Sequence, residues 1–377
     1  MSTHAHVSPA TTKPATTKPA TTKPATTKPA TTKPATTKPA THQPGSDYAG
    51  LARQISDAGL LRRRPLSYVV RFTLVGGALC AAWAVFFRLG DTWPQLVTAA
   101  VLAVLSGQIA LLGHDLAHRQ VFRGRRRSES VGLLVADLGI GLSYGWWTDK
   151  HTRHHAHPNN EDLDPDIQPD VLVWSQGQAR SSTGLTRSVG RVQAYLFFPL
   201  LTLEGFNLHA SAVKAVVRPG LGRRRAETIL LAAHFTAYLA ALFLVLSPGR
   251  ALVFLLVHKC LWGVYMGMIF APNHKGMPTC TGDEMPDFLR RQVLTSRNVR
   301  GNWLVDIALG GLNYQIEHHL FPAMPTPHLR YARPLVRAYC AQLGVDYHET
   351  GLLRSYREAL RELHRVGAPL RTPRSPA

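Results

Sequence analysis

The stretch PQLVTAAVLAVLSGQIALLGHDLAH (94–118) is an apolar run that leads directly into two histidines. Residues 94–112 are long and apolar enough to cross the hydrocarbon core of a bilayer, which takes about 20 residues of α-helix. His114 and His118 follow at i, i+4 spacing, so a continuing helix would present both imidazoles on one face. The stretch therefore predicts a membrane-spanning helix with a candidate metal-ligating pair just past its end.

Three further segments, residues 69–87, 226–246 and 251–271, are also apolar over a membrane-spanning length. Short connections join the four segments in pairs, which predicts two helical hairpins. Residues 131–145 and 192–206 are apolar as well, but they are short and contain charged side chains. We expect these two stretches to lie flat on the membrane surface.

Basic residues indicate how the hairpins are oriented. The formal net charge is +20, and arginines are concentrated in LRRRP (61–65), RGRRR (123–127) and GRRRA (222–226). All three blocks flank the hairpins, which is typical of the cytoplasmic ends of membrane helices rather than of a nucleic-acid-binding surface. We therefore expect a multi-pass protein of the cell membrane, with both termini cytoplasmic and no nucleic-acid partner. The predicted fold class is an all-α integral membrane protein, with four transmembrane helices in two hairpins and a cytoplasmic helical cap.

His258 and Lys259 lie inside the fourth apolar segment. A lysine at this depth can extend its side chain towards the membrane surface, or it can face the interior of the helical bundle. The sequence leaves both orientations open.

Residues 1–45 differ from the rest of the chain in composition. Residues 11–40 are six copies of TTKPA, and a proline at every fifth position prevents both a helix and a packed core. Residues 1–45 also lack the apolar core of a signal peptide. We expect a disordered basic tail over 1–45, a membrane domain over 46–345 and a basic C-terminal tail over 346–377.

The four cysteines, Cys80, Cys260, Cys280 and Cys340, form no CxxC pair. The sequence therefore predicts neither a disulfide framework nor a thiolate metal site. If the chain binds a metal, its ligands would be imidazoles or carboxylates.

Histidines recur at helical spacing in HTRHH (151–155) and QIEHH (315–319), and a single histidine stands in NHKGMP (273–278). With four spanning helices, all of these groups fall on the same side of the membrane as the pair at the end of 94–118. Each group alone is a weak signal, but their coincidence on one side favours a shared metal centre. The candidate ligands are His114, His118, His151, His154, His155, His274, His318 and His319.

Eight imidazoles exceed what one ion can use, so two ions with open coordination positions fit the number better. All-nitrogen ligation with open positions favours oxygen activation at iron over a closed structural site. Acidic residues beside the clusters could accept the second ring N–H of a ligand and so fix its orientation. They are Asp115, Asp149, Glu161, Asp162, Asp164, Asp166 and Glu317. His157 points off the shared helical face and is expected in an outer position or at the surface.

Together, HDLAH, HTRHH and QIEHH resemble the three histidine boxes of the membrane fatty-acid desaturase family. The resemblance covers roughly residues 65–345, and the longer stretches GWWTDKHTRHHAHPN, NHKGMP and QIEHHLFP look most like bacterial, actinobacterial-type acyl desaturases. It implies a cytoplasmic di-iron centre that uses O2 and two electrons to remove two hydrogens from a long acyl chain, carried as an acyl lipid or acyl-CoA. It also implies that the eight histidines are the iron ligands.

Two details of the resemblance concern individual positions. Gln315 stands where other branches of the family have a histidine, so it is a possible further ligand, and whether it would ligate an ion directly or through water is open. Some relatives have an asparagine four residues before the histidine that follows the fourth span, whereas this chain has Phe270 there and Asn273 next to His274.

No HPGG motif of a cytochrome-b5 domain occurs in the chain. The resemblance therefore implies an external electron donor, a ferredoxin or a flavin-linked reductase, and a basic cytoplasmic face would attract an acidic one. Two other functions stay open: a di-iron membrane hydroxylase or ketolase, and a metal transporter. A transporter would place its ligands near the middle of the spans, whereas these histidines lie past the span ends.

Overall fold

A computed structural model describes residues 46–282 and 287–371. The predicted tail of TTKPA repeats lies outside the described residues. The elements in chain order are α1 (Ser46–Asp57), α2 (Pro65–Leu89), α3 (Gln95–Ala117), α4 (Arg125–Leu133), a π-helical turn (Leu134–Leu138), α5 (Tyr144–Ala156), α6 (Gln176–Ser181), α7 (Gly184–Gly190), α8 (Gln193–Val217), α9 (Arg224–Val245), α10 (Pro248–His274), α11 (Phe288–Leu294), β1 (Asn298–Arg300), α12 (Trp303–Ala308), α13 (Gln315–Leu320), α14 (Thr326–Gln342), β2 (Glu349–Gly351), α15 (Leu352–Val366) and α16 (Ala368–Arg371).

Four helices of the described residues, α2, α3, α9 and α10, are long and apolar enough to cross a membrane. They coincide with the four predicted spans, so the predicted fold class is confirmed. α2 packs against α3, and Leu246 and Ser247 join α9 to α10 in a tight turn. Large apolar side chains on the outer faces are exposed, including Leu74 at 66% and Leu244 at 85%, as expected of helices in contact with lipid.

α8 is longer than the predicted stretch 192–206, and its packing differs from the prediction. Leu201 lies against Gly263 and Gly267 of α10, and Gly205 lies against Lys259 and Gly263. These contacts run in opposite directions along the two helices, so α8 packs antiparallel to α10 instead of lying flat at its end. Two glycines permit this close approach, since a Cβ at Gly263 would lie 2.5 Å from the Leu201 carbonyl oxygen.

His258 and Lys259 face the interior of the bundle, where their side chains are buried. The Tyr238 hydroxyl lies 2.8 Å from His258 Nδ1, and the Ser106 hydroxyl lies 3.3 Å from His258 Nε2. Lys259 places its Nζ 4.5 Å from the ring centroid of Tyr238. The ring face therefore stabilises the amine, and Lys259 does not extend to the membrane surface.

The residues after 345 continue the fold as β2, α15 and α16. β2 pairs in parallel with β1, and α15 packs against α8 and α10. The fully buried Arg297 fixes this region by donating to the carbonyls of Pro272 (2.7 Å) and Lys275 (2.8 Å) and by pairing with Glu358 of α15 (2.9 Å). The end of α10, which carries His274, is thereby held against α15. The predicted domain boundary at residue 345 stays a prediction.

Candidate metal centre

The eight predicted histidines lie on four elements whose ends meet. His114 lies in the last turn of α3 and His118 caps it, while His274 is the last residue of α10. The other five are on two short helices, His151, His154 and His155 on α5 and His318 and His319 on α13. Their ring nitrogens form two groups, in each of which the nitrogens lie within 4.8 Å of one another: His114, His118, His151, His155 and His318 in the first, and His154, His274 and His319 in the second.

In the group of five, every close contact is between Nε2 atoms. His151 lies 2.9 Å from His118 and 3.1 Å from His155. His318 lies 3.1 Å from His114 and 3.2 Å from His155. Burial and the neighbouring imidazoles lower the pKa of His118, His151, His155 and His318 well below the ordinary value, which favours neutral rings. Neutral imidazoles are the form that ligates a metal.

In the group of three, hydrogen bonds fix which ring nitrogen carries the proton. The Nδ1 of His274 donates to the carbonyl of Thr295 (3.0 Å), and the Nδ1 of His319 donates to Oε1 of Gln292 (2.9 Å). Each neutral ring therefore has a lone pair on Nε2, and these two atoms face each other at 3.1 Å with no proton between them. A cation bound by both Nε2 atoms would accept these two lone pairs.

His154 completes the group of three. Its Nδ1 lies 3.0 Å from each carboxylate oxygen of Asp164, and its Nε2 lies 3.3 Å from that of His274. Burial opposes protonation of His154, but the carboxylates of Asp166 and Asp164 raise its pKa above the ordinary value. A more basic imidazole is also a stronger ligand for a cation.

The spacing of the nitrogens suits metal ions in both groups. Two imidazole nitrogens that share an ion lie about 2.0–2.1 Å from it and hence about 2.8–3.4 Å from each other at angles of 90–110°. The shortest contacts in the two groups are 2.9–3.3 Å. The residues present therefore fit two ions, one in each group.

Some of the acidic residues that were predicted to accept the second ring N–H of a ligand lie beside the histidines. Asp115 lies 3.3 Å from the Nδ1 of His114 and also pairs with Arg71, while Asp164 serves His154. The carboxylate of Asp166 lies 3.5 Å from the Nδ1 of His154. The other predicted acceptors contact different groups: Asp149 pairs with Arg153, Glu161 accepts from Ser175 and Thr279, Asp162 accepts from Gly282, and Glu317 accepts from Tyr347 and Asn298.

Two acceptors, Gln292 and the carbonyl of Thr295, were not predicted. Both belong to the segment around α11, which lies more than 20 residues from either histidine that it contacts. Gln292 also donates through Nε2 to the carbonyl of His155 (2.9 Å), which sets the direction of its amide. Neither residue has a charge or a spacing that would have identified it in the sequence.

Gln315 reaches the group of three, while His157 does not belong to either group. The Nε2 of Gln315 lies 2.9 Å from the Nε2 of His274, and its Oε1 accepts from Nδ2 of Asn273 (3.1 Å). Asn273 also donates to the carbonyl of Ile269, so its own amide direction is set. In this orientation Gln315 presents N–H groups, not its oxygen, to the metal centre.

An apolar wall adjoins the group of five. Trp147 stacks on His151 with ring centroids 4.5 Å apart, and it packs into a cluster with Ile140, Leu208 and Trp262. This cluster lies between α3, α8 and α10 and so connects the histidines to the bundle of spanning helices.

Known proteins are similar to this chain, and a family model matches the region that contains the histidine groups. A model of the fatty acid desaturase family matches residues 91–351. Among similar proteins are the acyl-lipid (9-3)-desaturase of Physcomitrium patens (29% identity over 81% of this chain), fatty acid desaturase 3 of Bos taurus (29% over 85%) and the delta(8)-fatty-acid desaturase of Helianthus annuus (28% over 80%). The matched region spans 60% of the moss protein, 73% of the bovine protein and 69% of the sunflower protein. The chain belongs to the fatty acid desaturase family.

Proposed function

We propose that the protein desaturates a long-chain fatty acyl group at a histidine-ligated di-iron centre, with O2 as co-substrate. The observation that carries this proposal is the pair of imidazole groups, whose Nε2 atoms converge at 2.9–3.3 Å. The names of the three relatives, which are all desaturases, support the same reaction. When bound, the two irons would supply the oxidising power that removes hydrogen from an unactivated methylene.

The proposed ligands are His114, His118, His151, His155 and His318 for one ion and His154, His274 and His319 for the other. Three of these rings hold their orientation through Asp164, Gln292 and the Thr295 carbonyl, so their lone pairs are directed before the ion arrives. Three protein ligands leave positions open at the second ion, as a reaction with O2 requires. Gln315 would act as a hydrogen-bond donor beside that ion.

The apolar cluster around Trp147 supports a substrate with a long hydrocarbon chain. Ile140, Leu208 and Trp262 are buried in this cluster, and an apolar lining of this kind would limit the access of water to a reactive centre. The position of the acyl chain against this wall would decide which carbon loses hydrogen. A hydroxylase or ketolase would use the same centre, and the outcome is separated from desaturation by the mass of the product.

Two further parts of the proposal concern location and electrons. The arginine blocks support a cell-membrane protein whose termini and metal centre are cytoplasmic. A separate donor, a ferredoxin or a flavin-linked reductase, would deliver the electrons there, and the net charge of +20 favours an acidic one.

Expression in a bacterial host that lacks its own desaturase tests the function. The wild-type chain should produce fatty acids lighter by two mass units than their saturated parents, and only in the presence of O2. His155→Ala should abolish the product, because the Nε2 of His155 lies in the group of five. His157→Ala is the matched control, two residues away and outside both groups, and should keep the product. Products heavier by one oxygen would instead establish a hydroxylase, and unchanged lipids in all strains would contradict the proposal.

A further inference from the structure

A groove of about 640 Å³ lies at the connection from α3 to α4 and is lined mainly by arginines. Arg63 precedes α2, and Arg123, Arg125, Arg126 and Arg127 lie in and after the connection from α3 to α4. Val121 and Phe122 add an apolar surface to the same groove. Two arginine blocks that are 60 residues apart in the sequence are thus combined into one basic site.

Some arginines of the groove and of the third block have partners within the chain: Arg125 of the groove pairs with Glu129. Arg224 donates to the carbonyls of Val216 and Val217, and Arg223 pairs with Glu129. Within the described part of the chain, Arg123, Arg126 and Arg127 have no carboxylate partner and are exposed. Their guanidinium groups are therefore available to an anion from outside the chain.

The groove is held firmly at its inner side. Arg63 donates to the carbonyls of Arg119 and Gln120, the latter at 3.2 Å. Gln120 is fully buried, and its Oε1 accepts from the Tyr68 hydroxyl (2.7 Å) and from the backbone N–H of Thr326 (3.0 Å). The connection that carries the arginines is therefore tied to α2 and α14 and is preformed.

The groove lies at the border of the lipid-facing surface and close to the metal centre. α2 begins at Pro65, two residues after Arg63, and its first turn exposes Leu66 at 74% and Val69 at 59%. Arg123 follows His118 by five residues, which even fully extended span at most about 18 Å. A head group in the groove would thus be near both the bilayer and the histidines.

We propose that this groove binds the phosphate head group of a membrane phospholipid whose acyl chain is the substrate. Guanidinium groups bind phosphate oxygens in a bidentate manner, and arginine clusters at the inner membrane surface attract anionic lipids. The apolar surface of Val121 and Phe122 suits the glycerol and first methylenes of such a lipid. This inference rests on the proposed function for the fate of the acyl chain, while the binding of the head group can be measured without any reaction.

The test uses purified, delipidated full-length protein in a nonionic detergent, without reductant. Phosphatidylglycerol is added in the same detergent, and the lipid retained per chain is counted by native mass spectrometry. The triple variant Arg123→Gln, Arg126→Gln, Arg127→Gln should bind phosphatidylglycerol at least about tenfold more weakly than wild type. The control triple variant Arg225→Gln, Arg357→Gln, Arg361→Gln removes the same charge from exposed positions outside the groove and should bind as wild type does.

Other results would overturn the proposal. Equal weakening in both triple variants would mean that the arginines act only as diffuse surface charge. Displacement of the lipid by coenzyme A, or by inorganic phosphate, at equal concentration would assign the groove to a soluble phosphate compound. Retention of an acidic ferredoxin in place of lipid would assign it to an electron donor. A variant with Arg123→Lys, Arg126→Lys and Arg127→Lys keeps the charge and should bind between wild type and the glutamine variant, because bidentate contacts are lost.

The failure of this inference and of the proposed function are distinguishable. If the wild type binds phosphatidylglycerol through the groove but makes no alkene, the function fails and the site stands. If it makes alkene but the glutamine variant keeps the same KM for phospholipid-bound chains, the site fails and the function stands.

Discussion

The Nδ1 of His154 lies 3.0 Å from both carboxylate oxygens of Asp164, and this contact directs its Nε2 towards His274. Asp164 is itself fixed, because it accepts from the backbone N–H groups of Asn159 and Asp166, each at 2.8 Å. The carboxylate is fully buried and joins the end of α5 to the following turn. The orientation of one ligand thus depends on a residue ten positions later in the chain.

Asp164→Ala should therefore weaken binding of the ion proposed for the group of His154, His274 and His319. We expect metal affinity or activity to fall about 10- to 100-fold, as for other residues that orient a metal-bound imidazole. Iron per chain, measured on purified protein, should decrease towards one. Asp149→Ala is the control, since Asp149 is exposed and, among the described residues, its carboxylate pairs with Arg153 and with none of the histidines. Full iron content in both variants would show that His154 needs no carboxylate.

Gln315→Ala tests whether the side-chain amide of Gln315 is a metal ligand or a hydrogen-bond donor. The Oε1 of Gln315 accepts a hydrogen bond from Asn273, so the N–H groups of Gln315 face the histidines. N–H groups cannot ligate a cation. We expect alkene production to fall about 10- to 100-fold with iron content unchanged. Gln342→Ala, at an exposed position of α14, should alter neither quantity. Loss of one iron per chain from Gln315→Ala would identify the amide as a ligand.

Gly263→Ala should destabilise the bundle. Its new Cβ would lie 2.5 Å from the Leu201 carbonyl oxygen and from the backbone nitrogen of Gly205, so α8 and α10 would have to separate. Overpacking of this kind costs about 1–3 kcal/mol, visible as a lower melting temperature in detergent. Gly77→Ala in α2 is the control, because a Cβ there meets nothing within 4 Å. Equal melting temperatures would contradict the close packing of α8 on α10.

Asp137 should make stability depend on pH. Burial, and then the neighbouring carboxylate of Glu227, raise the pKa of Asp137 to about 9. The folded chain keeps this proton while the unfolded chain releases it above about pH 4, so stability should fall as pH rises from about 4 to 9. Asp137→Asn has no titrating group at this position. The melting temperature of the variant should therefore fall less between pH 6 and pH 8.5 than that of the wild type. Parallel pH profiles for the variant and wild type would disprove the assignment.

The spanning helices and the histidine groups were predictable because their signals are local. An apolar run of about 20 residues is visible without knowledge of its neighbours. The i, i+3 and i, i+4 spacing of His151, His154 and His155 places them on one helical face whatever packs against it. Their convergence with His318 could be inferred only from the number of spans that separate them.

Features that depend on tertiary contacts were not predictable. α8 contains Glu204 and was expected at the surface, but Gly205 and Gly263 let its backbone approach α10 closely. Gln292 and Thr295 orient two ligands through an amide and a carbonyl, which occur throughout any chain. The orientation of Lys259 depends on the ring of Tyr238 in α9, which no local pattern reveals.

The two histidine groups differ in how many of their rings are oriented by a hydrogen bond at Nδ1, and this difference would affect how each group binds iron. In the group of three, the Nδ1 of every ring has a hydrogen-bond acceptor. In the group of five, the Nδ1 atoms of His155 and His318 have no hydrogen-bond partner among the described residues. A ring with such an acceptor keeps its orientation towards a bound ion, whereas the rings of His155 and His318 are free to turn as the coordination changes. If iron occupies both groups as proposed, the two positions would differ in affinity, and half-loaded molecules would accumulate when iron is scarce.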